Sequence, residues 1–366
     1  MKKILIVVGT RPNFIKVTQF KHISKDFKDV EFKIVHTGQH YDNKMSDVFF
    51  EQFELYPDFF LNIAPASANI QMAEIMVKLE TLFLEDYHPD LVMVVGDVNS
   101  TFAAALAANK SGIKIAHLES GLRSFDRSMP EEINRVLTDE ITDYFFITEQ
   151  AGWDNLKAEG KLVSDMYFVG NTMIDTLVAH DQKIQENDIL RRLALEEKKY
   201  ILMTMHRPAT VDNMDGLTNL FGLIEFATTN YQLVFPIHPR TLKKIEDLGF
   251  KERIENNKNI VITEPLDYLS FQKLISEARF IMTDSGGIQE ESTFRKIPCL
   301  TLRPNTERPS TITIGTNTLM PFSIMEISRK IKEIESGDYK KGNIPLHWDG
   351  KSTERVVKIV RDILSK

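Results

Sequence analysis

Short runs of aliphatic and β-branched residues, spread along the whole chain and separated by helical stretches, constrain the fold more than any other feature. In the first half they are ILIVVG (4–9), FKIVHTG (32–38), LVMVVG (91–96), IKIAHLE (113–119), YFFIT (144–148) and MYFVG (166–170). The second half offers YILMTMH (200–206), YQLVFPIH (231–238), NIVITEP (259–265), FIMTD (280–284) and PCLTL (298–302). The runs are continuous rather than alternating, as expected of strands covered by helices on both faces. This predicts an α/β protein of two Rossmann-like, doubly wound parallel-sheet domains. At 366 residues the chain is long for one core and comfortable for two. The boundary is expected near FVGNTMID (168–175), giving an N-terminal domain of residues 1–170 and a second domain of residues 171–351.

The remaining gross properties exclude whole classes of partner. A formal charge of −7 gives no reason to expect nucleic acid or an anionic membrane. No apolar run approaches the roughly 18 residues a spanning helix needs. The single cysteine, Cys299, excludes an internal disulfide framework and suits a reducing compartment. KKILIVVGT reads as a first strand with no leader before it, so a cytoplasmic location is expected.

Ligands of open parallel sheets bind outside the carboxyl ends of the strands. The residues there are Thr10-Arg11, Gln39-His40, Asp97, Glu119, His206, His238, Asp284-Ser285 and Arg303, most of them polar or charged. If the two domains face each other, these ends converge on a central cleft. Arg11 and Lys16 of GTRPNFIKV flank a helix start that Pro12 favours. They could meet an anion there, or be an ordinary surface pair. Asp97 and Glu119 close two neighbouring strands, and Glu131 opens a helix in SMPEEINR. A glutamate at a helix start is often only a dipole partner, which would suffice for Glu131 and Glu132. It explains Asp97 and Glu119 less well, because carboxylates in a cleft cost desolvation. Three carboxylates around one pocket would separate their pKa values and supply both an acid and a base. With no HExxH and no His/Cys cluster at zinc spacing, neither a catalytic metal nor a cofactor is expected. Of nine histidines, His206 in MTMHRPATVDN is the stronger candidate for a phosphate contact, ahead of His238.

IMTDSGGIQEEST (281–293) sets a puzzle. A strand, a Ser285-Gly286-Gly287 turn and a helix start favour an anion, yet Glu290 and Glu291 follow at once. At about 1.5 Å per residue, Glu291 stands a turn beyond the glycines, where it can accept hydrogen bonds from sugar hydroxyls. Arg308 could add charge to the phosphates, and Phe271 of EPLDYLSF could wall a base. A tight turn followed by solvent-facing glutamates is the plainer alternative.

Together these stretches resemble the non-hydrolysing UDP-N-acetylglucosamine 2-epimerases over essentially the full chain. The stretches are GTRPNFIK, TGQHYD, GDVNSTFAAALAA, HLESGLRS, MPEEINRVLTD, FVGNTMIDT, MHRPATVDN, EPLDYLSF, TDSGGIQEE and TERPSTITIGTN. The resemblance implies the GT-B architecture, a cytosolic homodimer, a UDP-sugar substrate and a C-terminal helix (about 352–366) packing back on the first domain. It implies substrate contacts for Arg11 and Lys16, and three carboxylates near the sugar C2 at Asp97, Glu119 and Glu131. His206 falls near the phosphates, and uracil packs on Phe271 beside Leu266. Ser285, Gly286 and Gly287 form the diphosphate loop, Glu291 binds ribose and Arg308 binds phosphate. Arg135 of MPEEINRVLTD joins the substrate-binding set.

The implied reaction is reversible C2 epimerisation of UDP-GlcNAc to UDP-ManNAc, supplying sugar for a surface polysaccharide. UDP would leave to give a 2-acetamidoglucal and then return, with Asp97 as base, Glu131 as acid and Glu119 assisting. Departures from the common pattern are Asn13, where many bacterial members have glutamate, and HRPATVDN, where they have HRxEN. The run after QH also differs from the one that the family links to an allosteric UDP-GlcNAc site. QHYDNKMSDVFF and GLRSFDRSMPEEINR are similar to family members acting on UDP-2,3-diacetamido-glucuronate, an alternative substrate. A hydrolysing 2-epimerase, a GT-B glycosyltransferase and a non-catalytic nucleotide-sugar binder are the other readings.

Overall fold

The computed structural model describes residues 1–38, 50–237 and 239–365. Gln39, His40 and His238, three of the strand-end residues, lie outside the described residues. The chain forms two compact units, Met1–Ala179 with Leu346–Lys366, and His180–Pro345.

Each unit is one wholly parallel sheet. The first contains β1 (Lys2–Val8), β2 (Val30–His36), β3 (Phe59–Phe60), β4 (Leu91–Val95), β5 (Lys114–Leu118), β6 (Tyr144–Ile147) and β7 (Met166–Phe168), in the order β3-β2-β1-β4-β5-β6-β7. The second contains β8 (Tyr200–Thr204), β9 (Gln232–Pro236), β10 (Ile260–Thr263), β11 (Phe280–Thr283), β12 (Cys299–Leu302) and β13 (Asn317–Met320), in the order β10-β9-β8-β11-β12-β13. All the continuous apolar runs became strands, and β3 and β13 are additions. The central strand β4 is buried throughout and β8 as far as Met203, which is why they show no period of two in sequence. In both sheets the order reverses beside the first strand, between β1 and β4 and between β8 and β11. These switch points open the crevice where doubly wound sheets bind ligands.

Among the helices, α1 (Arg11–Ile15), α2 (Asn99–Lys110), α3 (Pro130–Glu140) and α4 (Thr172–Ala179) belong to the first unit. α5 (Tyr268–Glu277) and α6 (Gly286–Arg295) belong to the second. The division falls after α4, not before it at residue 170, because α4 is tied into the first unit. Thr176 donates its hydroxyl to the Ile15 carbonyl at 2.5 Å. Asp175 accepts the backbone N–H groups of Ser352 at 3.1 Å and Thr353 at 2.5 Å, at the start of the C-terminal helix Ser352–Leu364. That helix lies on α4 and on the short helix Phe20–Ile23. Ahead of it the buried indole of Trp348 donates to the Thr148 carbonyl at 3.0 Å. Among the described residues no helix is long and apolar enough to cross a membrane.

His36, at the end of β2, makes the fold sensitive to acid. Its Nδ1 accepts the Gly38 N–H at 3.1 Å, which requires an unprotonated nitrogen, and burial pushes its pKa down to about 4. As pH falls below the ordinary histidine value of about 6.5, the unfolded chain takes up a proton that the folded chain refuses. Stability should therefore decline from about pH 6.5 down to about pH 4, by at most about 3 kcal/mol. Urea midpoints measured across that window should fall for the natural chain and stay flatter for His36→Gln. Equal slopes would contradict the assignment.

Candidate active site

At the first switch point, the backbone at Thr10 is extended and Pro12 sits in the first turn of α1. The Asn13 side chain accepts from the Thr10 hydroxyl at 2.8 Å and donates to the Val95 carbonyl at 3.0 Å, which ties the end of β1 to the end of β4. Half-buried Arg11 opens the helix and Lys16 closes it. Lys16 lies against Gly96, whose φ is +66° and where a Cβ would stand 2.9 Å from Asn13 Nδ2 and 3.4 Å from Lys16 Nζ. A side chain at residue 96 would displace this arrangement.

Lys16 forms an ion pair with Glu119, and both residues are buried. Glu119 follows β5 with φ at +74°, in the left-handed region. For a residue other than glycine this costs on the order of 1 kcal/mol, and such strain concentrates at functional sites. The Glu119 N–H donates to the Phe146 carbonyl at 3.0 Å, which holds the turn.

Asp97 pairs with Arg135 from α3, and the same guanidinium pairs with Glu132 one turn earlier. Asn134 adds a hydrogen bond to the Asp97 carbonyl at 3.0 Å. Burial raises the pKa of Glu132, but hydrogen bonds from Ser124 and Arg135 outweigh it and hold the carboxyl below its ordinary range. Of the two glutamates at the start of α3, Glu132 faces inward and Glu131 is exposed. The structure thus brings Asp97 to Arg135 and Lys16 to Glu119, and leaves Glu131 toward solvent.

Beneath these groups lies a buried network that crosses four segments. His117 Nδ1 meets Asp139 at 2.6 Å and its Nε2 meets the Gly96 carbonyl at 2.8 Å. Asp139 also receives the Gly121 N–H at 3.0 Å and Arg123 at 2.7 Å. Burial pushes the Asp139 carboxyl up, and the charges and hydrogen bonds of His117 and Arg123 more than reverse this. The network holds the backbone on which Asp97 and Glu119 stand.

At the second switch point, fully buried Asp284 accepts the backbone N–H groups of His206 at 3.0 Å and Arg207 at 2.9 Å. The exposed His206 ring places Nδ1 2.9 Å from the same carboxylate. An acceptor at that position puts the ring proton on Nδ1. Desolvation raises the Asp284 pKa, and His206 with the two N–H donors brings it below the ordinary value.

Ser285 precedes α6 with extended backbone, and the helix begins at Gly286. Its first N–H groups have no partner within the helix and, with the dipole, favour an anion. A Cβ on Gly286 would lie 3.0 Å from both Arg308 Nη1 and Glu307 Oε1, so the cation of TERP borders the loop. Glu290 solves half the puzzle of the adjacent carboxylates: it is buried and pairs with Arg308 at 2.8 Å. Glu291 is buried as well. Leu266 and Phe271, both half-buried, pack on one core cluster near the start of α5. A cavity of about 590 Å³ in this unit is lined by Thr210, Asn219, Arg303, Met320 and Phe322 among others; of the strand-end residues it takes in Arg303 alone.

Asp139 and Glu307 support the site without having been named in the sequence reading, and Glu132, Asp284 and Glu290, which were named there, had been given no binding or catalytic role. Glu132 carried a legible signal in its i, i+3 spacing to Arg135, whereas the partnership of Asp284 with His206 spans 78 positions.

The family profile for UDP-N-acetylglucosamine 2-epimerase matches residues 22–361. A UDP-N-acetylglucosamine 2-epimerase homolog of Methanococcus maripaludis is 41% identical over 99% of this chain and 100% of its own. The UDP-2,3-diacetamido-2,3-dideoxy-D-glucuronate 2-epimerase of Pseudomonas aeruginosa is 37% identical over 87% of this chain and 88% of its own. The crystal structure of the Methanocaldococcus jannaschii UDP-GlcNAc 2-epimerase, in complex with UDP-GlcNAc and UDP, superposes with a TM-score of 0.88. It is 38% identical and covers 98% of this chain and 99% of its own. Two doubly wound units of the GT-B class, and matches running through nearly the whole sequence, lead to one conclusion: the chain belongs to the non-hydrolysing UDP-N-acetylglucosamine 2-epimerase family of isomerases.

Proposed function

We propose that the protein interconverts UDP-GlcNAc and UDP-ManNAc by eliminating UDP to a 2-acetamidoglucal and adding it back. The observation that carries this reading is the matched pair of switch points, one furnished with carboxylates on buried cations and the other with a glycine helix start bordered by Arg308. The chemistry needs both. The C2 hydrogen of an N-acetylhexosamine is not adjacent to a carbonyl, so it becomes acidic only as UDP departs from C1 and leaves positive charge there. The diphosphate is given to Ser285, Gly286, Gly287 and Arg308, with His206 and Arg11 as further donors. The proton transfers are given to Asp97 as base and Glu131 as acid, the two more accessible carboxylates. Buried Glu119 assists through Lys16. Leu266, Phe271 and Glu291 hold the nucleoside, and Arg135 orients Asp97. General acid–base assistance supplies about 10²–10⁴-fold, and leaving-group stabilisation and positioning must supply the rest. On this reading the enzyme works in the cytoplasm as a homodimer and feeds a surface polysaccharide.

The relative from Pseudomonas aeruginosa favours a second substrate, the diacetamido-glucuronate. One NMR time course in D₂O with each nucleotide sugar decides between them. Both epimers of the true substrate should gain deuterium at C2, without build-up of free UDP. Turnover with hydrogen retained at C2 would rule out the scheme, and steady accumulation of UDP with free aminosugar would mark a hydrolase.

A further inference from the structure

Arg303 follows β12 and is almost completely buried, its side chain 1% exposed. Only one of its guanidinium nitrogens is used: Nη2 meets Glu307 at 3.1 Å, while Nε and Nη1 have no hydrogen-bond partner among the described residues. Glu307 gives its other oxygen to Arg308 Nη1, and Arg308 Nε continues to Glu290 at 2.8 Å. The result is an alternating chain, Arg303–Glu307–Arg308–Glu290, whose middle members border Gly286. Burial lowers the pKa of Arg303, Glu307 raises it, and the like charges of Arg207 and Arg308 lower it further. Arg303 is thus tied through Glu307 to the guanidinium that borders a helix start built for an anion.

Such an arrangement is costly for a core to keep. A buried charged donor left unpaired costs about 1–3 kcal/mol or more, and apolar side chains often replace buried ion pairs without loss of stability. We propose that Arg303 is a positioning residue for the diphosphate of the substrate. Through Glu307 it aims Arg308 at the glycine loop, where the diphosphate would be held. The residue never has to touch the ligand to do this. The inference rests on the UDP-sugar reading above and gives a role to Arg303, which the sequence placed at a strand end without one.

Ligand-observed NMR titrations of the full chain with UDP and with uridine test it, alongside Arg303→Met, Arg303→Lys and Glu307→Gln. Arg303→Met should weaken UDP about 10–100-fold, the value of hydrogen bonds to a charged group, and leave uridine within about twofold, since the nucleoside contacts lie elsewhere. Arg303→Lys should recover part of the loss, because it restores charge without the fork. Glu307→Gln should behave like Arg303→Met, and it decides the question if that variant does not fold. An equal loss for UDP and uridine would mean a purely structural role and overturn the proposal, as would unchanged UDP affinity. A natural chain that binds no UDP removes the UDP-sugar reading first, and this inference with it.

Discussion

Asp97→Asn is expected to lower kcat for C2 epimerisation by about 10²–10⁴-fold, the usual worth of a positioned acid or base, while UDP affinity stays within about threefold of the natural enzyme. The substitution keeps the shape and removes only the ability to take a proton. Arg135 does not become an unpaired buried cation, because Glu132 still holds it. The Asp97 side chain is 26% exposed, so the new amide can be solvated. The loss should therefore be chemical. Deuterium incorporation at C2, followed by NMR, should slow in proportion to epimer formation. A drop in kcat below about tenfold would take Asp97 out of the proton transfer.

Gly170→Ala should destabilise the first unit by about 4 kcal/mol or more, placing it among the rare severe substitutions. Gly170, in the FVGNTMID stretch, has φ at +89°, and an added Cβ would stand 2.7 Å from the His347 carbonyl carbon and overlap its oxygen. The strand-end backbone and the returning C-terminal segment pass each other there with room for a hydrogen atom only. Arg355 fastens the same place, donating to the Val169 carbonyl at 2.9 Å and to the His347 carbonyl at 3.3 Å. At about 2–4 °C per kcal/mol for a body of this size, thermal melts should shift down by roughly 8–16 °C. Gly112→Ala is the control. It shares the left-handed backbone, with φ at +70°, but its Cβ would meet nothing within 4 Å, so it should cost only about 1 kcal/mol. Equal costs at the two positions would show that contact with residue 347 is unimportant.

The strands were legible because burial on both faces leaves an uninterrupted apolar run, and their short length and β-branched content favour strand over helix. β3 was not, because two residues carry no period, and β13 was not, because Asn317 and Thr318 look like loop. The buried Asn317 is accommodated by its neighbours, its amide donating to Gln289 at 3.0 Å and to Thr311 at 3.1 Å. Strand-end reasoning placed Asp97, Glu119 and His206 just beyond the carboxyl ends of their strands, since position in an open sheet follows from the strand itself. Which of Glu131 and Glu132 turns inward was beyond it, because that depends on the phase in which Pro130 starts α3 after an irregular loop. Residues that orient others were the hardest to see. His117 and Asp139, or Arg303 and Glu307, gain their meaning only from contacts made after the chain has folded back on itself.

That folding back has a consequence for biosynthesis. Met1–Ala179 acquires its closing segment, Leu346–Lys366, only after His180–Pro345 has been translated. During synthesis the first unit therefore stays exposed at the apolar groove that Trp348, Val356, Val357 and Val360 will fill. Such transiently uncovered surface invites chaperones. Nonsense mutations near codon 346 should accordingly yield aggregates more readily than a shorter but functional enzyme.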